Sequence, residues 1–212
     1  MELWNEIITE KSQKLLFELR DIMNFVLIGG WAVWLYSTSI KSKDIDVYIN
    51  FDDFFKHQKD LADKGIFISL NQKLNKYEIK TGEIDIDIYT PHHCNLIVPC
   101  KDVFNEKLFK RVDKFNVIIP EALLILKINA EEKRHETIKG FKDRIDILSL
   151  LYKVELNKRL LKDLAKKYSI DLSRMKEIIA KSSKEYSYFF PEAENLRKLK
   201  ELKRELLKKL DF

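Results

Sequence analysis

The chain has 212 residues and a mass of 25.3 kDa, is 45% hydrophobic and 34% charged, and carries a formal net charge of +5. This composition is too apolar for a disordered chain and too poor in glycine and proline for a collagen-like one, and no apolar run approaches the roughly 20 residues that span a bilayer. Two cysteines are too few for a disulfide framework, and the polar, acidic start is unlike a secretory signal, so we expect a cytoplasmic protein with no membrane partner.

The first 119 residues predict helices mixed with short strands. Apolar side chains recur at helical spacing over 3–22, which predicts an amphipathic helix. Further helices are predicted over 31–36, 52–64 and 99–110. Runs rich in strand-forming or alternating residues predict strands over 25–28, 44–49, 66–70, 76–80, 83–89 and 115–119.

From Pro120 onward the sequence predicts helices only. These are expected over 121–135, 141–152, 157–168, 171–182 and 192–210. Leucines of the last helix are expected on one stripe, formed by Leu196, Leu199, Leu202, Leu206 and Leu210. We therefore expect two domains, 1–119 and 120–212. The first has 16 Lys and Arg and 18 Asp and Glu, a net charge of −2, and the second has 23 Lys and Arg and 16 Asp and Glu, a net charge of +7. An acidic half suits a divalent metal, and a basic half suits a polyanion such as a nucleoside triphosphate or RNA.

A Gly29-Gly30 pair separates a predicted strand from a predicted helix. Two glycines allow a tight turn and a close approach of the backbone to a ligand, and the helix N-terminus that follows favours phosphate. The pair does not identify a phosphate site by itself, because such turns between a strand and a helix are common.

The two aspartates of Asp44-Ile45-Asp46 face the same side of a predicted strand, with Cα atoms about 6.6 Å apart. They repel each other unless a cation lies between them. Mg²⁺ takes one or two carboxylates together with substrate phosphates. Because Asp is uncommon in strands, the pair favours a metal site over a solvated face.

A second strand, 83–89, repeats this pattern with acids on one face and isoleucines on the other. If it lies beside the first, Asp85 or Asp87 adds a third carboxylate, and three carboxylates can hold two metal ions about 3.5–4 Å apart. The alternative is an edge strand protected by acidic residues. Two Asp-X-Asp strands after a Gly-Gly turn favour the metal site.

The order of these segments resembles the nucleotidyltransferases of the DNA polymerase beta superfamily. The residues that carry the resemblance are Ile-Gly-Gly-Trp-Ala at 28–32, Lys-Asp-Ile-Asp-Val at 43–47 and Ile-Asp-Ile-Tyr at 86–89. The sequence is similar to small archaeal and prokaryotic members, including toxin-type enzymes of toxin–antitoxin and abortive-infection systems. Segments 120–127 and 139–148 resemble the helices that follow the core in archaeal members.

This resemblance implies an α+β fold in which a mixed sheet flanked by helices is followed by a helical bundle. It implies Mg²⁺-dependent transfer of a nucleoside monophosphate, from ATP or another triphosphate, to a hydroxyl of RNA, a protein or a small molecule. Asp44 and Asp46 resemble the metal ligands. Asp87, which the resemblance favours over Asp85, corresponds to the third acid, which helps to deprotonate the acceptor.

The resemblance also implies a phosphate-binding turn at Gly29 and Gly30. Many members have Ser where Gly30 stands, so a hydroxyl contact to phosphate is replaced by backbone donors. Many relatives have Arg and Thr before the first aspartate, and here Lys41 and Ser42 stand nearby. Lys41 can meet a phosphate as a point charge, without the bidentate fork of Arg.

Two lysines of the basic half are predicted phosphate contacts, because transfer from a triphosphate needs nearby cations. Lys127 lies in an otherwise apolar predicted helix, and Lys142 lies in the next one. A structural alternative is that Glu131, one turn after Lys127, is its ion-pair partner.

Two other classes of function stay open. A non-catalytic regulatory module would bind a nucleoside triphosphate without turnover. An RNA-binding protein would use the basic half, and its binding would weaken steeply with salt and ignore Mg²⁺ and nucleotide. We also keep a homodimer among the expected assemblies.

Overall fold

The computed structural model describes residues 5–63 and 66–210. The chain forms two compact units, the sheet unit and the helical unit, which comprise Met1–Leu35 with Lys41–Ile119 and Tyr36–Ile40 with Pro120–Phe212, respectively. These units differ from the predicted domains in the segment 36–40.

The sheet unit contains four helices and seven strands within the described residues. The helices are α1 (Glu6–Ile22), α2 (Gly29–Ser37, whose last two residues belong to the helical unit), α3 (Phe51–Asp63) and α4 (Cys100–Asn105). The strands are β1 (Val26–Ile28), β2 (Ile45–Tyr48), β3 (Ser69–Asn71), β4 (Lys76–Lys80), β5 (Asp85–Tyr89), β6 (Phe109–Val112) and β7 (Phe115–Ile118).

The seven strands form one sheet in the order β3-β4-β5-β2-β1-β7-β6. Two pairings are parallel, β2 with β5 and β1 with β7, and the other four are antiparallel. The sheet is therefore mixed, and the predicted α+β fold is confirmed.

Strands β2 and β5 bury one face and place acids on the other, as their alternation predicts. Ile45 and Val47 of β2 are fully buried, and so are Ile86 and Ile88 of β5 to within 2% exposure. Because side chains alternate along a strand, the aspartates between these residues lie on the opposite face.

The helical unit contains five helices and two short 3₁₀ turns within the described residues. The helices are α5 (Pro120–Arg134), α6 (Ile138–Lys153), α7 (Lys158–Lys167), α8 (Ser173–Lys181) and α9 (Leu196–Lys209), and the turns are Glu185–Tyr188 and Pro191–Glu194. Helices α5 and α6 pack against each other, and Leu124 and Ile128 of α5 and Leu148 of α6 are fully buried. None of the helices in the described part of the chain has the length and apolar character needed to cross a lipid bilayer.

Several sequence predictions differ from the structure in detail. Residues 109–110, predicted as the end of a helix, instead begin β6, because α4 stops at Asn105 and Lys107 takes a positive φ. The predicted leucine stripe of α9 loses Leu196, which is 73% exposed in the first turn, whereas its other four leucines are buried. The starts and ends predicted at residues 3 and 64 lie outside the described residues.

Candidate functional site

The turn from β1 into α2 is built on Gly29. This residue has a φ of +66°, a conformation that side chains with a Cβ rarely adopt. A Cβ at Gly29 would also overlap the carboxylate of Asp46, which lies opposite Ile28 in the β1–β2 register. Glycine is therefore required both for the turn and for the close approach of an acidic side chain to the N-terminus of α2.

Three acids form a row across neighbouring strands, which we call the acid row: Glu78 on β4, Asp87 on β5 and Asp46 on β2. Glu78 is the cross-strand partner of Asp87, and Asp87 is the cross-strand partner of Asp46. Residues paired in this way point to the same face of a sheet. Asp44 precedes Asp46 by two residues and lies in the bend just before β2, outside the paired strand. The structure thus brings Asp46 and Asp87 together, and the position of Asp44 beside them stays a prediction.

The competing third acid, Asp85, occupies a different register position. It lies opposite Lys80 of β4, whereas Asp87 lies opposite Glu78 and beside Asp46. This register favours Asp87 as the third carboxylate, although both aspartates are on the same face.

The electrostatics of the acid row reflect crowded carboxylates. Burial, followed by the negative charge of Asp46, raises the pKa of Asp87 to about 6, against the opposing effect of Lys76. Burial acts to raise the pKa of Glu78 as well, but hydrogen bonds from Asn71 and Lys76 outweigh it and lower that pKa. The two pKa values thus differ because hydrogen bonds to Glu78 outweigh its burial, whereas burial of Asp87 and the charge of Asp46 outweigh Lys76.

Lys76 is a site residue that the sequence reasoning missed. Its Nζ lies 2.5 Å from Oδ2 of Asp87 and 3.1 Å from Oε1 of Glu78, and its side chain is 10% exposed. Burial acts to lower its pKa, but the hydrogen bonds and charges of the two acids reverse that effect and raise it. The alternation of Lys76-Tyr77-Glu78 signals a shared face, but the contact with Asp87 depends on the β4–β5 register.

The other predicted residues of this half lie near the start of β2 or in α2. Gly30 is buried in the first turn of α2. Lys41 is half-buried and Ser42 is buried, and both belong to the loop that leads into β2. Their predicted contact with phosphate stays a prediction.

The two predicted phosphate-binding lysines are buried in the helical unit among carboxylates. Nζ of Lys127 lies 2.7 Å from Oδ2 of Asp146 and 3.2 Å from Oδ1 of Asp143. Nζ of Lys142 lies 3.1 Å from Oδ2 of Asp146. Arg134 donates to both oxygens of Asp143, at 2.7 and 3.0 Å. We call these five residues the helical charge cluster.

The pKa values in this cluster follow from burial and charge balance. Burial lowers the pKa of Lys142, against the raising effect of Asp146. Burial acts to raise the pKa of Asp143, but Lys127 and Arg134 outweigh it and lower that pKa. These ion pairs give both lysines a structural role, and their contact with phosphate stays a prediction.

Glu131, considered from the sequence as a partner of Lys127, anchors a second network. It is fully buried and accepts from Arg174 at 2.8 and 2.9 Å and from Arg144 at 3.4 Å. Arg144 also donates to Glu185 at 2.8 Å. The network links α5, α6 and α8 through a carboxylate that burial would otherwise penalise.

The donor chemistry of the sheet acids suits a hard divalent cation. Asp44, Asp46 and Asp87 offer carboxylate oxygens, which are the ligands that Mg²⁺ prefers. Within residues 5–63 and 66–210, no three His, Cys, Asp or Glu side chains are already placed to hold a metal ion. The aspartates therefore have the right chemistry for a divalent cation but do not form a preformed cage, and Lys76 contacts one oxygen of Asp87.

The fold is similar to that of several solved structures. JHP933 from Helicobacter pylori aligns with a TM-score of 0.55 at 14% identity, over 98% of this chain and 94% of that one. ANT(2")-Ia, in complex with adenylyl-2"-tobramycin, aligns with a TM-score of 0.50 at 11% identity, over 78% of this chain and 98% of that one. An antigenic nucleotidyltransferase-like protein from Paracoccidioides brasiliensis aligns with a TM-score of 0.43 at 14% identity, over 84% and 91%.

No protein-family model matches the sequence, and no curated protein matches it. The similarity to solved structures, at identities of 11–14%, therefore concerns the fold.

Proposed function

We propose that the chain is a Mg²⁺-dependent nucleotidyltransferase that moves a nucleoside monophosphate from a nucleoside triphosphate to an acceptor hydroxyl. The observation that carries this proposal is the contact between the Gly29 turn and Asp46, with Asp87 as its cross-strand neighbour. A helix N-terminus that favours phosphate thus lies against carboxylates that favour a divalent cation. The similar fold of ANT(2")-Ia, solved with an adenylylated aminoglycoside, supports the same class of reaction.

Asp44, Asp46 and Asp87 would hold the metal. When bound, Mg²⁺ would neutralise charge on the triphosphate and favour ionisation of the acceptor hydroxyl. The backbone N–H groups at the start of α2, freed by the Gly29 turn, would orient the phosphates. Lys41 and Ser42 would add contacts from the loop before β2.

The transfer itself is an in-line displacement at the α-phosphorus. A bond forms between the acceptor oxygen and phosphorus, the bond from phosphorus to the bridging oxygen breaks, and pyrophosphate leaves. Asp87 accepts the hydroxyl proton, and its neighbours hold its carboxylate in place. Most of the rate enhancement would come from positioning and from opposite charges near the phosphates.

The acceptor is proposed to be anionic or polymeric, because the half of the chain from Pro120 onward carries a net charge of +7. RNA is an acceptor with the opposite charge. The assay described below would also detect transfer to a hydroxyl of a protein or of a small molecule. The resemblance to toxin-type members adds the prediction that expression arrests growth of a host cell.

The test is to incubate the protein with each α-³²P-labelled nucleoside triphosphate, Mg²⁺, and total RNA, total protein or a panel of polyhydroxyl compounds. We expect label on one acceptor class and stoichiometric pyrophosphate release, both abolished by EDTA. Nucleotide binding without turnover would instead support a regulatory module. Binding of RNA that ignores Mg²⁺ and nucleotide would support an RNA-binding protein.

A further inference from the structure

A buried ammonium lies within the acid row. Nζ of Lys76 contacts Oδ2 of Asp87 and Oε1 of Glu78, at 2.5 and 3.1 Å. Exposed lysines sample many rotamers, but this side chain is 10% exposed and held by two carboxylates. Its charge is therefore fixed beside the predicted third acid.

The second anchor of Lys76 is itself held in place. Asn71 of β3 donates to Oε1 of Glu78 at 2.9 Å, so a chain of contacts runs from β3 through β4 to β5. Glu78 also lies directly opposite Asp87 in the sheet. The ammonium position is thus determined by three strands and not by a single flexible contact.

An ammonium at this position satisfies the same electrostatic demand as a metal ion. Neighbouring carboxylates such as Asp46 and Asp87 repel each other unless a positive charge is near. Two divalent ions would meet this demand, as the sequence predicts. A lysine that already contacts Asp87 supplies part of the charge and competes with a divalent ion for that carboxylate.

We propose that Lys76 is a positioning residue that takes the place of the second divalent ion beside Asp87, so that the nucleotide-bound site holds one divalent ion. This inference rests on the proposed function, since it concerns the metal that accompanies the nucleotide. Of the three aspartates proposed above as metal ligands, Asp44 and Asp46 hold this ion together with the triphosphate. Lys76, which Glu78 holds in place, replaces the metal at Asp87 and orients its carboxylate as the proton acceptor.

The test counts metal ions directly, without an activity readout. Mn²⁺ is titrated into the protein saturated with a non-hydrolysable nucleoside triphosphate, and bound Mn²⁺ is measured by electron paramagnetic resonance and calorimetry. We expect one Mn²⁺ per wild-type chain and two per Lys76→Met chain. The second ion should bind to the variant about tenfold or more tightly than to the wild type, because one positive charge beside Asp87 has been removed.

The chain offers a matched control on the same strand. Lys80 contacts Oε2 of Glu78 at 3.5 Å but is 67% exposed, so Lys80→Met removes the same charge without touching Asp87. Lys80→Met and the conservative Lys76→Arg should both keep one Mn²⁺. If Lys76→Met does not fold, the double variant Lys76→Met/Glu78→Gln removes the ammonium together with one of the carboxylates that would repel Asp87. This double variant should also bind two Mn²⁺ ions per chain.

The outcomes separate this inference from the proposed function. Two Mn²⁺ per wild-type chain, or one per Lys76→Met chain, would overturn the role of Lys76 and leave nucleotide transfer standing. If neither nucleotide nor Mn²⁺ binds to any variant, the proposed function fails and this inference fails with it.

Discussion

The acid row and the helical charge cluster are both buried groups of charges, but their balance differs. In the acid row, the buried ammonium of Lys76 contacts Asp87 and Glu78, and Asp46 is the other cross-strand neighbour of Asp87. The negative charge of Asp46 still raises the pKa of Asp87 against the effect of Lys76. Repulsion between carboxylates therefore persists in this part of the sheet.

The helical charge cluster has the opposite balance. Two carboxylates, Asp143 and Asp146, meet three cations, Lys127, Lys142 and Arg134. Each carboxylate is at most 1% exposed and contacts two cations. Burial of charge alone therefore does not mark a metal site. Carboxylates that still repel each other favour an external cation, whereas a cluster that is neutralised by its own cations holds helices together.

The largest expected effect is on the activity of the acid row. Asp46→Asn should lower acceptor-dependent pyrophosphate release by about a thousandfold or more, because a metal ligand and a transition-state charge are lost. The free energy of unfolding should not fall, since removal of a charge relieves repulsion with Asp87. Asp52→Asn, an exposed change in the first turn of α3, is the control and should keep full activity. Wild-type activity of Asp46→Asn would contradict the account.

The helical charge cluster should respond in its stability. Lys127→Met leaves Asp143 and Asp146 with fewer cations in a buried setting, so we expect a loss of about 3 kcal/mol in the free energy of unfolding by urea. Lys166→Met, on the exposed face of α7, should change it by less than about 0.5 kcal/mol. Equal stability of the two variants would break the contrast between the clusters.

A side chain at Gly29 should affect both the backbone of the turn and the neighbouring Asp46 of the acid row. Gly29→Ala and Gly82→Ala should each cost about 1–2 kcal/mol, because both glycines have positive φ values, of +66° and +87°. Only at Gly29 does a Cβ meet Asp46, and nothing lies within 4 Å of one at Gly82. We therefore expect transfer to fall about tenfold or more in Gly29→Ala alone. Equal activities would argue against a functional contact.

A smaller effect is expected on the pH dependence of stability in the helical charge cluster. The folded pKa of Asp143 lies below its unfolded value of about 3.9, so its stabilising charge is fully present above that pH and is lost as pH falls through the folded pKa. Asp143→Asn should be about 1 kcal/mol less stable than wild type at pH 7, since Lys127 keeps Asp146. This difference should shrink below about pH 4. A constant difference down to pH 2 would exclude the ion pairs as its source.

Much of the acid row could be predicted from the sequence because strand alternation is local. Asp46 had to lie on the face opposite Ile45 and Val47 once this segment was a strand, and Gly29 had to permit a turn. Asp44 precedes β2, which begins at Ile45, so alternation does not place it. The choice between Asp85 and Asp87, by contrast, depends on how β5 registers with β2. Alternation along a strand shows which face a side chain lies on, but only the pairing register shows which residue of the next strand lies beside it.

The contacts that could not be predicted from the sequence join separate elements. Lys76 reaches Asp87 across the β4–β5 pair, and Lys127 reaches Asp143 and Asp146 across two helices. The sequence places Glu131 one helical turn after Lys127, which makes Glu131 the nearest predicted ion-pair partner of that lysine. Strand β6 was missed for a related reason, since its pairing with β7 and not its composition makes it a strand.

The central claim is that the acids of the sheet bind a divalent cation together with a nucleotide. Calorimetry with a non-hydrolysable nucleoside triphosphate, in Mg²⁺ and in EDTA, tests it on the wild type and on Asp44→Asn/Asp46→Asn. We expect the wild type to bind the nucleotide about tenfold or more tightly in Mg²⁺ than in EDTA, and the double variant to show no Mg²⁺ dependence. Equal Mg²⁺-dependent affinity in the two proteins would contradict it.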